Sequence, residues 1–301
     1  MPVQFLTEEQ RANYGCYLAE PTAIDLARYF HLDDDAHQNI SKKRGEHNRL
    51  GFALQLTTVR YLGSFLNTMS QIPAGVLTCI ARQLGLPDTS CLIEYNYQRQ
   101  RLRHINEICQ KYGYQEIYDP LIGFRLTRWL YAQCWTGTER PTLLFERATT
   151  WLLAHKVLLP GASVLERFIS KLRHRVEQHL WKLLVRSISD EQKLQLETLM
   201  SIPEGNNRSW FEQMRTGPTN ISGPSLVRAL KRLEMIRNYG ITLRTSTVIP
   251  PNRIAILSQF AFRAKVTAIN RLPLRRRLAT LGSFHENIRG YSPGRCARYS
   301  G

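Results

Sequence analysis

A series of basic and polar side chains after Pro160 and Gly161 has the clearest chemical pattern in the chain. Its members fall three or four residues apart and are Arg167, Lys171, His174, Gln178 and Lys182. On an α-helix this spacing aligns side chains along one face. A helix face that is basic along its whole length suggests a polyanionic partner, although a merely solvated basic face has the same pattern. Both interpretations stay open at this point.

The element that must position this series is a helix that follows Pro160 and ends near Arg186. Ser163 and Glu166 form a predicted capping box at its start. An apolar stripe opposite the basic line comprises Leu165, Phe168, Ile169, Leu172, Val176, Leu180 and Leu183. A second apolar helix ends at His155, and a short Gly-containing turn joins the two helices. This is the outline of a helix-turn-helix, whose second helix enters the DNA major groove.

A second set of basic side chains lies near residue 50. Arg44 precedes a predicted helix that is apolar nearly all round, and the narrow polar or small strip of that helix is Arg49, Ala53, Thr57, Arg60 and Ser64. Arginines separated by small residues would let the helix lie close to a phosphate backbone. The alternative is a helix that packs against a neighbour through its small side chains, and the periodicity supports both interpretations equally.

Residues that could catalyse a reaction are less clearly arranged. Asp33, Asp34 and Asp35 are predicted to compensate the dipole at a helix start, and His104 is expected to be structural or to contact phosphate. The six cysteines are scattered singly without zinc-ligand spacing, which favours reduced thiols. The sequence contains no Gly-x-x-x-x-Gly-Lys-Ser/Thr loop and no His-x-x-Arg motif. We therefore predict no catalytic residue, no metal ligand and no cofactor.

The overall charge and composition indicate which classes of binding partner to expect. The chain has 301 residues, a formal net charge of +17 and 43% hydrophobic residues, which is enough apolar material for two cores and part of a third. Such a charge favours nucleic acid or an anionic membrane as partner. The sequence has no run of eighteen apolar residues and begins with an acidic stretch, so we expect no membrane insertion, no secretion and a cytoplasmic location.

Helical spacing dominates the sequence, and alternating strand patterns are scarce. The predicted fold class is all-α, with tandem helical bundles that carry helix-turn-helix-like modules. Capping boxes at Thr7 and Ser189 mark two helix starts. The predicted segments are DNA-binding modules at 1–116 and 117–205, an irregular linker at 206–224, an incomplete third helical module at 225–281 and a disordered tail at 282–301.

Three pieces of the sequence, taken together and in order, form a pattern more specific than any single motif. The first piece runs from Asn48-Arg49-Leu50-Gly51-Phe52-Ala53-Leu54-Gln55-Leu56 through Arg60 and Leu62-Gly63. The others run from His104 to Gly113-Tyr114, and from Leu158-Leu159-Pro160-Gly161 through Leu165-Glu166-Arg167. In this order the three pieces resemble the N-terminal region of the replicative transposases of the Tn3 family, and the resemblance covers residues 1–281.

This resemblance implies a helical region that binds the terminal inverted repeats of a bacterial transposon. In the family such a region precedes a dimerisation part and an RNase H-like domain, whose Asp-Asp-Glu triad holds a divalent metal, expected to be Mg²⁺. No acidic residue of this chain matches that triad. We therefore predict DNA binding without enzyme activity on this chain.

The predicted partner is double-stranded DNA, with intact transposase as a further candidate and with no membrane or small-molecule substrate. The predicted contacts are Arg44, Arg49 and Arg60 in the first module and Arg167, Lys171, His174, Gln178 and Lys182 in the second. The expected location is the nucleoid. Two alternatives stay open: the chain competes with or pairs with intact transposase, or it is an inactive relic.

The sequence after Leu281 departs from the family pattern. Residues 282–301 lack the helical periodicity with which family members continue. We interpret this departure as the mark of a gene whose reading frame or downstream sequence changed near Leu281.

Overall fold

Helices account for nearly all the regular structure of the protein. The computed structural model describes residues 4–66, 68–96, 98–216, 222–240 and 248–290. Within these ranges there are α-helices and short 3-10 helices but no β-strand. Gln115 and Val157 form an isolated parallel β-bridge. The predicted all-α class is confirmed, and the helix-turn-helix character of the modules stays a prediction.

The chain divides into two compact units. Unit one comprises residues 1–130 and 139–172, and unit two comprises residues 131–138 and 173–301. The helices that begin in unit one are α1 Glu8–Asn13, α2 Ala23–Tyr29, α3 Asp34–Ser41, α4 Glu46–Leu62, α5 Ala74–Leu84, α6 Gln98–Tyr112, α7 Pro120–Thr136, α8 Pro141–Ala154 and α9 Ala162–Arg186. Short 3-10 helices cover Met69–Gln71 and Ser90–Asn96. The division differs from the boundaries at 116 and 205 that the sequence suggested.

Local sequence sets several of the helix starts in unit one. The predicted capping box at Thr7 is confirmed, because its hydroxyl accepts from the Gln10 amide and the Gln10 side chain accepts from the Thr7 amide. Thr22 forms a second capping box with Asp25. These reciprocal hydrogen bonds satisfy amides that have no partner within the helix.

Helix α4 forms the centre of the unit-one core. Its residues from Leu50 to Val59 are all buried, because the helix is apolar on nearly every side. Helices α2, α3, α5 and α6 pack against it, together with the 3-10 helix Ser90–Asn96. The buried amide of Gln55 donates to the carbonyl oxygen of Leu66 and accepts from the Leu66 amide, which fixes the chain beyond the helix.

The small side chains Ala53 and Thr57 of the α4 strip lie inside unit one. Ala53 and Thr57 have no exposed surface, and the Thr57 hydroxyl donates to the Ala53 carbonyl oxygen at 2.9 Å. The interpretation in which these small side chains let the helix lie close to a phosphate backbone is therefore wrong. They pack inside unit one, as the alternative required.

Two glycines in α4 and at its end occupy positions where a larger residue does not fit. A Cβ atom on Gly51 would overlap the ring of Tyr95, which is itself buried. Gly63 ends the helix in the left-handed region with φ 72°, and a Cβ atom there would overlap the side chain of Leu153. Both glycines belong to the stretch that resembles the Tn3 family, so that stretch specifies core packing.

Replacing Gly51 with Ala should destabilise unit one by about 1–3 kcal/mol, because Tyr95 is buried and cannot move away without strain. Gly123 on α7 is the matched control, since a Cβ atom there meets a single backbone oxygen at 3.5 Å. Gly123→Ala should be neutral or stabilising by up to about 1 kcal/mol. Urea denaturation of the two variants measures both effects. Equal midpoints for the two variants would contradict the packing described at Gly51.

The helices that begin in unit two surround a separate core. They are α10 Asp190–Thr198, α11 Trp210–Arg215, α12 Gly223–Tyr239, α13 Pro251–Arg263, α14 Val266–Asn270 and α15 Leu274–Gly290. Ser189 caps α10 by the predicted capping box with Gln192, which is confirmed. Helices α13 and α15 pack against each other, and Phe284 contacts Phe211 and Phe262 at ring-centroid distances of 4.8 and 4.9 Å.

The expectation of a disordered tail from residue 282 is wrong for its first nine residues. Helix α15 continues to Gly290, and Phe284, His285 and Ile288 are buried in unit two. The apolar positions Leu281, Phe284 and Ile288 have helical spacing, but intervening polar residues hide it in the sequence. Residues 291–301 lie outside the described residues.

The predicted linker at 206–224 also contains structure that the sequence analysis missed. Helix α11 lies within it, and Phe211 and Met214 have no exposed surface in the unit-two core. Ser209 and Glu212 form a capping box at its start. The Gly and Pro residues on either side concealed this short helix. Residues 217–221 lie outside the described residues.

We searched the described residues for a helix long and apolar enough to cross a membrane and found none.

Candidate nucleic-acid interface

The start of α9 differs from its prediction. The helix begins at Ala162, one residue before Ser163, so Ser163 and Glu166 do not form the predicted capping box. Glu166 instead turns inward and is 1% exposed. Its carboxylate accepts hydrogen bonds from the amides of Phe5 and Leu6, at 2.6 and 3.1 Å, and pairs with the Arg11 guanidinium at 2.6 Å. Glu166 therefore holds the N-terminal segment of unit one against α9.

The inner face of α9 matches the predicted stripe. The buried members are Leu165, Ile169, Leu172, Val176 and Leu180, while Phe168 and Leu183 are half-buried. This packing fixes the rotation of the helix about its own axis. The side of α9 that carries the basic series must consequently face solvent.

The predicted basic series lies on the outer side of α9, as its spacing required. Arg167, Lys171, His174 and Lys182 are exposed, and Gln178 is half-buried. The first two belong to the unit-one part of the helix and the others to its unit-two part. We call these five residues the α9 outer face. Their exposure is a structural finding, whereas their contact with DNA stays a prediction.

The cations of the α9 outer face are not neutralised within the described part of the chain. No carboxylate there lies within ion-pair distance of Arg167, Lys171 or Lys182. The Arg167 guanidinium donates to the Ser163 carbonyl oxygen of its own helix, at 3.1 Å. Unpaired exposed cations can bind phosphate without first breaking an internal ion pair.

His174 and Gln178 are the two members of the α9 outer face that are neither Lys nor Arg. The Gln178 amide nitrogen lies 3.4 Å from His174 Nε2, one helical turn away. Gln side chains can bind an adenine edge by two hydrogen bonds, which Lys side chains do not. The α9 outer face thus combines groups suited to phosphate with groups suited to base edges.

The three predicted contacts of the first module have different environments. Arg44 and Arg49 are exposed, and the Arg49 side chain donates to the Lys43 carbonyl oxygen at 3.1 Å. Arg60 is 22% exposed, pairs with Asp33 at 3.6 Å and donates to the His31 carbonyl oxygen at 3.1 Å. These groups within unit one already bind its guanidinium, and contact of Arg60 with DNA stays a prediction.

The acidic triplet has the structural role predicted for it. The Asp33 carboxylate caps α3 by accepting from the Ala36 amide at 2.8 Å, and Asp34 and Asp35 lie in the first turn. Asp35 also pairs with Lys111 at 2.9 Å, and this contact lowers the pKa of its carboxyl. Among the described residues, no three His, Cys, Asp or Glu side chains are placed to hold a metal ion.

His104 lies in the unit-one core, where it is 2% exposed. The Tyr95 hydroxyl is 3.0 Å from its Nδ1 and the Gln100 amide nitrogen is 3.3 Å from its Nε2, while Phe52 packs edge-on against the ring. Burial, reinforced by the nearby Lys43 ammonium, lowers the His104 pKa from 6.5 to about 4. Of the two predicted roles, this environment supports the structural one.

The stability of the chain should consequently fall as the pH is lowered from about 6.5 to about 4. Across this interval the unfolded chain binds a proton at His104 that the folded chain does not. The loss from this residue should reach about 3 kcal/mol. Urea denaturation across this pH range, with NMR titration of the His104 ring, measures it. His104→Phe should lose this part of the pH dependence, and a ring midpoint near 6.5 would contradict the expectation.

The sequence analysis did not select a second group of exposed basic residues, which lies in unit two. Arg263 ends α13, Lys265 and Arg271 flank α14, and Arg275 is in the first turn of α15. All four are exposed. The basic run from Arg271 to Arg277 was visible in the sequence, but no periodicity there distinguished the exposed members from the half-buried Arg276 and Arg277.

A family model described as "Domain of unknown function (DUF4158)" matches residues 5–172, and the last matched residue is also the last residue of unit one. This match covers more than half of the chain, so the chain belongs to that family. The matched range contains most of unit one, with its α4 core and the first part of α9, and also residues 131–138 of unit two.

Curated relatives define the family more narrowly. The chain is 44% identical, over 94% of its length, to the transposase for transposon gamma-delta of Escherichia coli (strain K12). It is 28% identical over 86% to the transposase for transposon Tn1546 of Enterococcus faecium, and 26% identical over 89% to that for transposon Tn501 of Pseudomonas aeruginosa. These sequences confirm the predicted resemblance to the N-terminal region of Tn3-family transposases. The chain spans 28%, 26% and 27% of the lengths of these three relatives.

Proposed function

We propose that this chain binds double-stranded DNA at the terminal inverted repeats of a transposon. The observation that carries the proposal is the α9 outer face, where exposed cations lie on one side of a helix whose other side is buried. Its relatives are transposases, and a transposase must locate the ends of its element. The net charge of +17 supports a polyanionic partner.

Two kinds of contact contribute to the proposed binding. Arg167, Lys171 and Lys182 contact phosphates and supply most of the affinity, since cations that displace counterions dominate binding to DNA. His174 and Gln178 contact base edges in the major groove and supply sequence preference. Arg44 and Arg49 in unit one, and the exposed cations between α13 and α15, bind further phosphates of the site.

We also propose that these residues contribute binding and not strand cleavage. Of the aspartates that could have suggested catalysis, Asp33 caps a helix and Asp35 pairs with Lys111. Cleavage and joining of DNA, as performed by an intact transposase, would then depend on sequence that this chain does not match. Incubating the purified chain with Mg²⁺ and terminal-repeat DNA tests this directly, because metal-dependent nicking would contradict the proposal.

The central test is equilibrium binding over a salt series. The probes are a duplex with a terminal inverted repeat of transposon gamma-delta, the corresponding repeat flanking the chain's own gene, and a scrambled duplex of equal length. We expect the chain to bind one of the repeats at least tenfold more tightly than the scrambled duplex. Equal affinity for all three duplexes would contradict sequence-specific binding, and no binding would contradict the proposal altogether.

The proposed binding is compatible with an effect of this chain on intact transposase in trans. A chain that occupies transposon ends without cutting them would compete with intact transposase for those ends. Transposition frequency measured with and without this chain distinguishes a competitor, which lowers the frequency, from a relic, which leaves it unchanged.

A further inference from the structure

The first half of α7 presents an apolar and cationic stripe to solvent. Leu121 and Phe124 are each 63% exposed, and Arg125 and Arg128 follow on the same side of the helix. Spacings of three and four residues place the four side chains along one line, which we call the α7 stripe. Tyr118, just before the helix, is 73% exposed. Such a concentration of exposed apolar side chains marks an interaction surface.

The α7 stripe is held in a fixed orientation by the rest of unit one. On the opposite side of the helix, Ile122, Leu126 and Leu130 are each at most 1% exposed. The Asp119 carboxylate caps the helix by accepting from the amides of Leu121 and Ile122, at 2.9 and 3.2 Å. The exposed side chains therefore project from a rigid support, which lowers the entropy lost when they bind.

The chemistry of the α7 stripe favours nucleic acid as its partner. Within the described residues, neither Arg125 nor Arg128 has a carboxylate at ion-pair distance. Cations beside large apolar side chains match a duplex, whose phosphates lie next to stacked bases that Phe and Leu can wedge apart. A second copy of this chain is a poorer match, because each copy carries a net charge of +17.

We propose that Leu121 and Phe124 insert between base pairs from the minor groove and bend the DNA, while Arg125 and Arg128 bind the flanking phosphates. This inference rests on the proposed function, because it requires that the chain bind duplex DNA. It adds a second mode of contact, since the α9 outer face contains no aromatic or aliphatic wedge. Bending would bring more of the duplex into reach of the exposed cations of the chain.

The experiment uses the full chain and two reporters on the terminal-repeat duplex. Energy transfer between dyes at the duplex ends measures bending, and 2-aminopurine placed at successive positions measures unstacking. Two double variants test the α7 stripe: Leu121→Ala with Phe124→Ala, and Arg125→Gln with Arg128→Gln. Ile24→Ala with Ile93→Ala is the control, because these isoleucines of unit one are also highly exposed, at 78% and 76%.

The inference predicts that wild-type protein bends the duplex and raises 2-aminopurine fluorescence at one step. The Leu121/Phe124 variant should lose both signals, bind about tenfold more weakly and keep its salt dependence. The Arg125/Arg128 variant should lower the slope of log affinity against log salt by about two, and the control should behave as wild type.

Three results would overturn the inference. Wild-type protein could bind the duplex without bending or unstacking it, or the Leu121/Phe124 variant could retain both signals. The same variant could instead change only the oligomeric state measured by light scattering, which would identify a protein interface. Absence of any wild-type binding would defeat the proposed function, and this inference with it, so the two failures are distinguishable.

Discussion

Replacing Arg167, Lys171 and Lys182 together with Ala should flatten the salt dependence of DNA binding. Each phosphate contact contributes about 0.9 to the slope of log affinity against log salt, so the triple variant should lose about three units. Its affinity should fall most at low salt, where counterion release contributes most. Folding should be unaffected, because all three side chains are exposed and none has a carboxylate partner among the described residues.

The matched control for this variant removes the same charge from elsewhere on the chain. Arg28, Arg82 and Arg208 are also exposed, and none of them lies on the α9 outer face. Their replacement by Ala lowers the net charge equally and should change the slope by less than one unit. Fluorescence anisotropy between about 50 and 200 mM salt measures both slopes. Equal slopes for the two triple variants would show that binding responds to net charge and not to this face.

The sequence predicted those features that depend on neighbours along the chain. The apolar and basic lines of α9 follow from residues three and four apart, and they determine which side of that helix is buried. The capping boxes at Thr7 and Ser189 depend on residues three positions away. The all-α class follows from many such local patterns taken together.

Features that depend on distant residues were missed or misinterpreted. Glu166 has the spacing of a capping residue, but its partners lie about 160 positions earlier in the chain. Arg60 has the spacing of a basic strip, yet Asp33 and the His31 carbonyl oxygen hold its guanidinium. Phe284 has apolar partners in helices far along the chain. In each case contacts between distant parts of the chain override the local pattern. Sequence periodicity reports only the spacing of nearby residues and cannot reveal such contacts.

Several residues of unit one that carry the resemblance to the Tn3 family have a role in core packing and not in DNA contact. Gly51 accommodates the Tyr95 ring, Gln55 pairs with the Leu66 backbone and Gly63 ends α4 in the left-handed region. Of the side chains in that stretch, Arg49 is exposed and is a candidate contact. The first of the three family-like stretches thus mainly specifies core packing, while most of the proposed binding residues lie elsewhere, above all on α9.

Replacing Glu166 with Ala should destabilise the chain by about 3 kcal/mol, because three hydrogen-bond donors lose a buried acceptor at about 1 kcal/mol each. The loss has three physical parts, because the carboxylate binds Arg11 and the amides of Phe5 and Leu6. Removing it leaves these donors without their acceptor next to a buried helix face. Glu166→Gln should cost less, since its amide oxygen still accepts while its NH₂ group opposes the donors.

The effect of Glu166→Ala should be greatest at the N-terminal segment. Hydrogen exchange should accelerate at Phe5 and Leu6 and through α1, because Glu166 is the side chain that holds this segment against α9. Glu146→Ala is the control, since Glu146 is an exposed carboxylate on α8 of the same unit. Urea denaturation gives the free energies of unfolding, and exchange followed by mass spectrometry gives their location. If the two alanine variants unfold at the same urea concentration and exchange alike, the buried carboxylate does not anchor the segment.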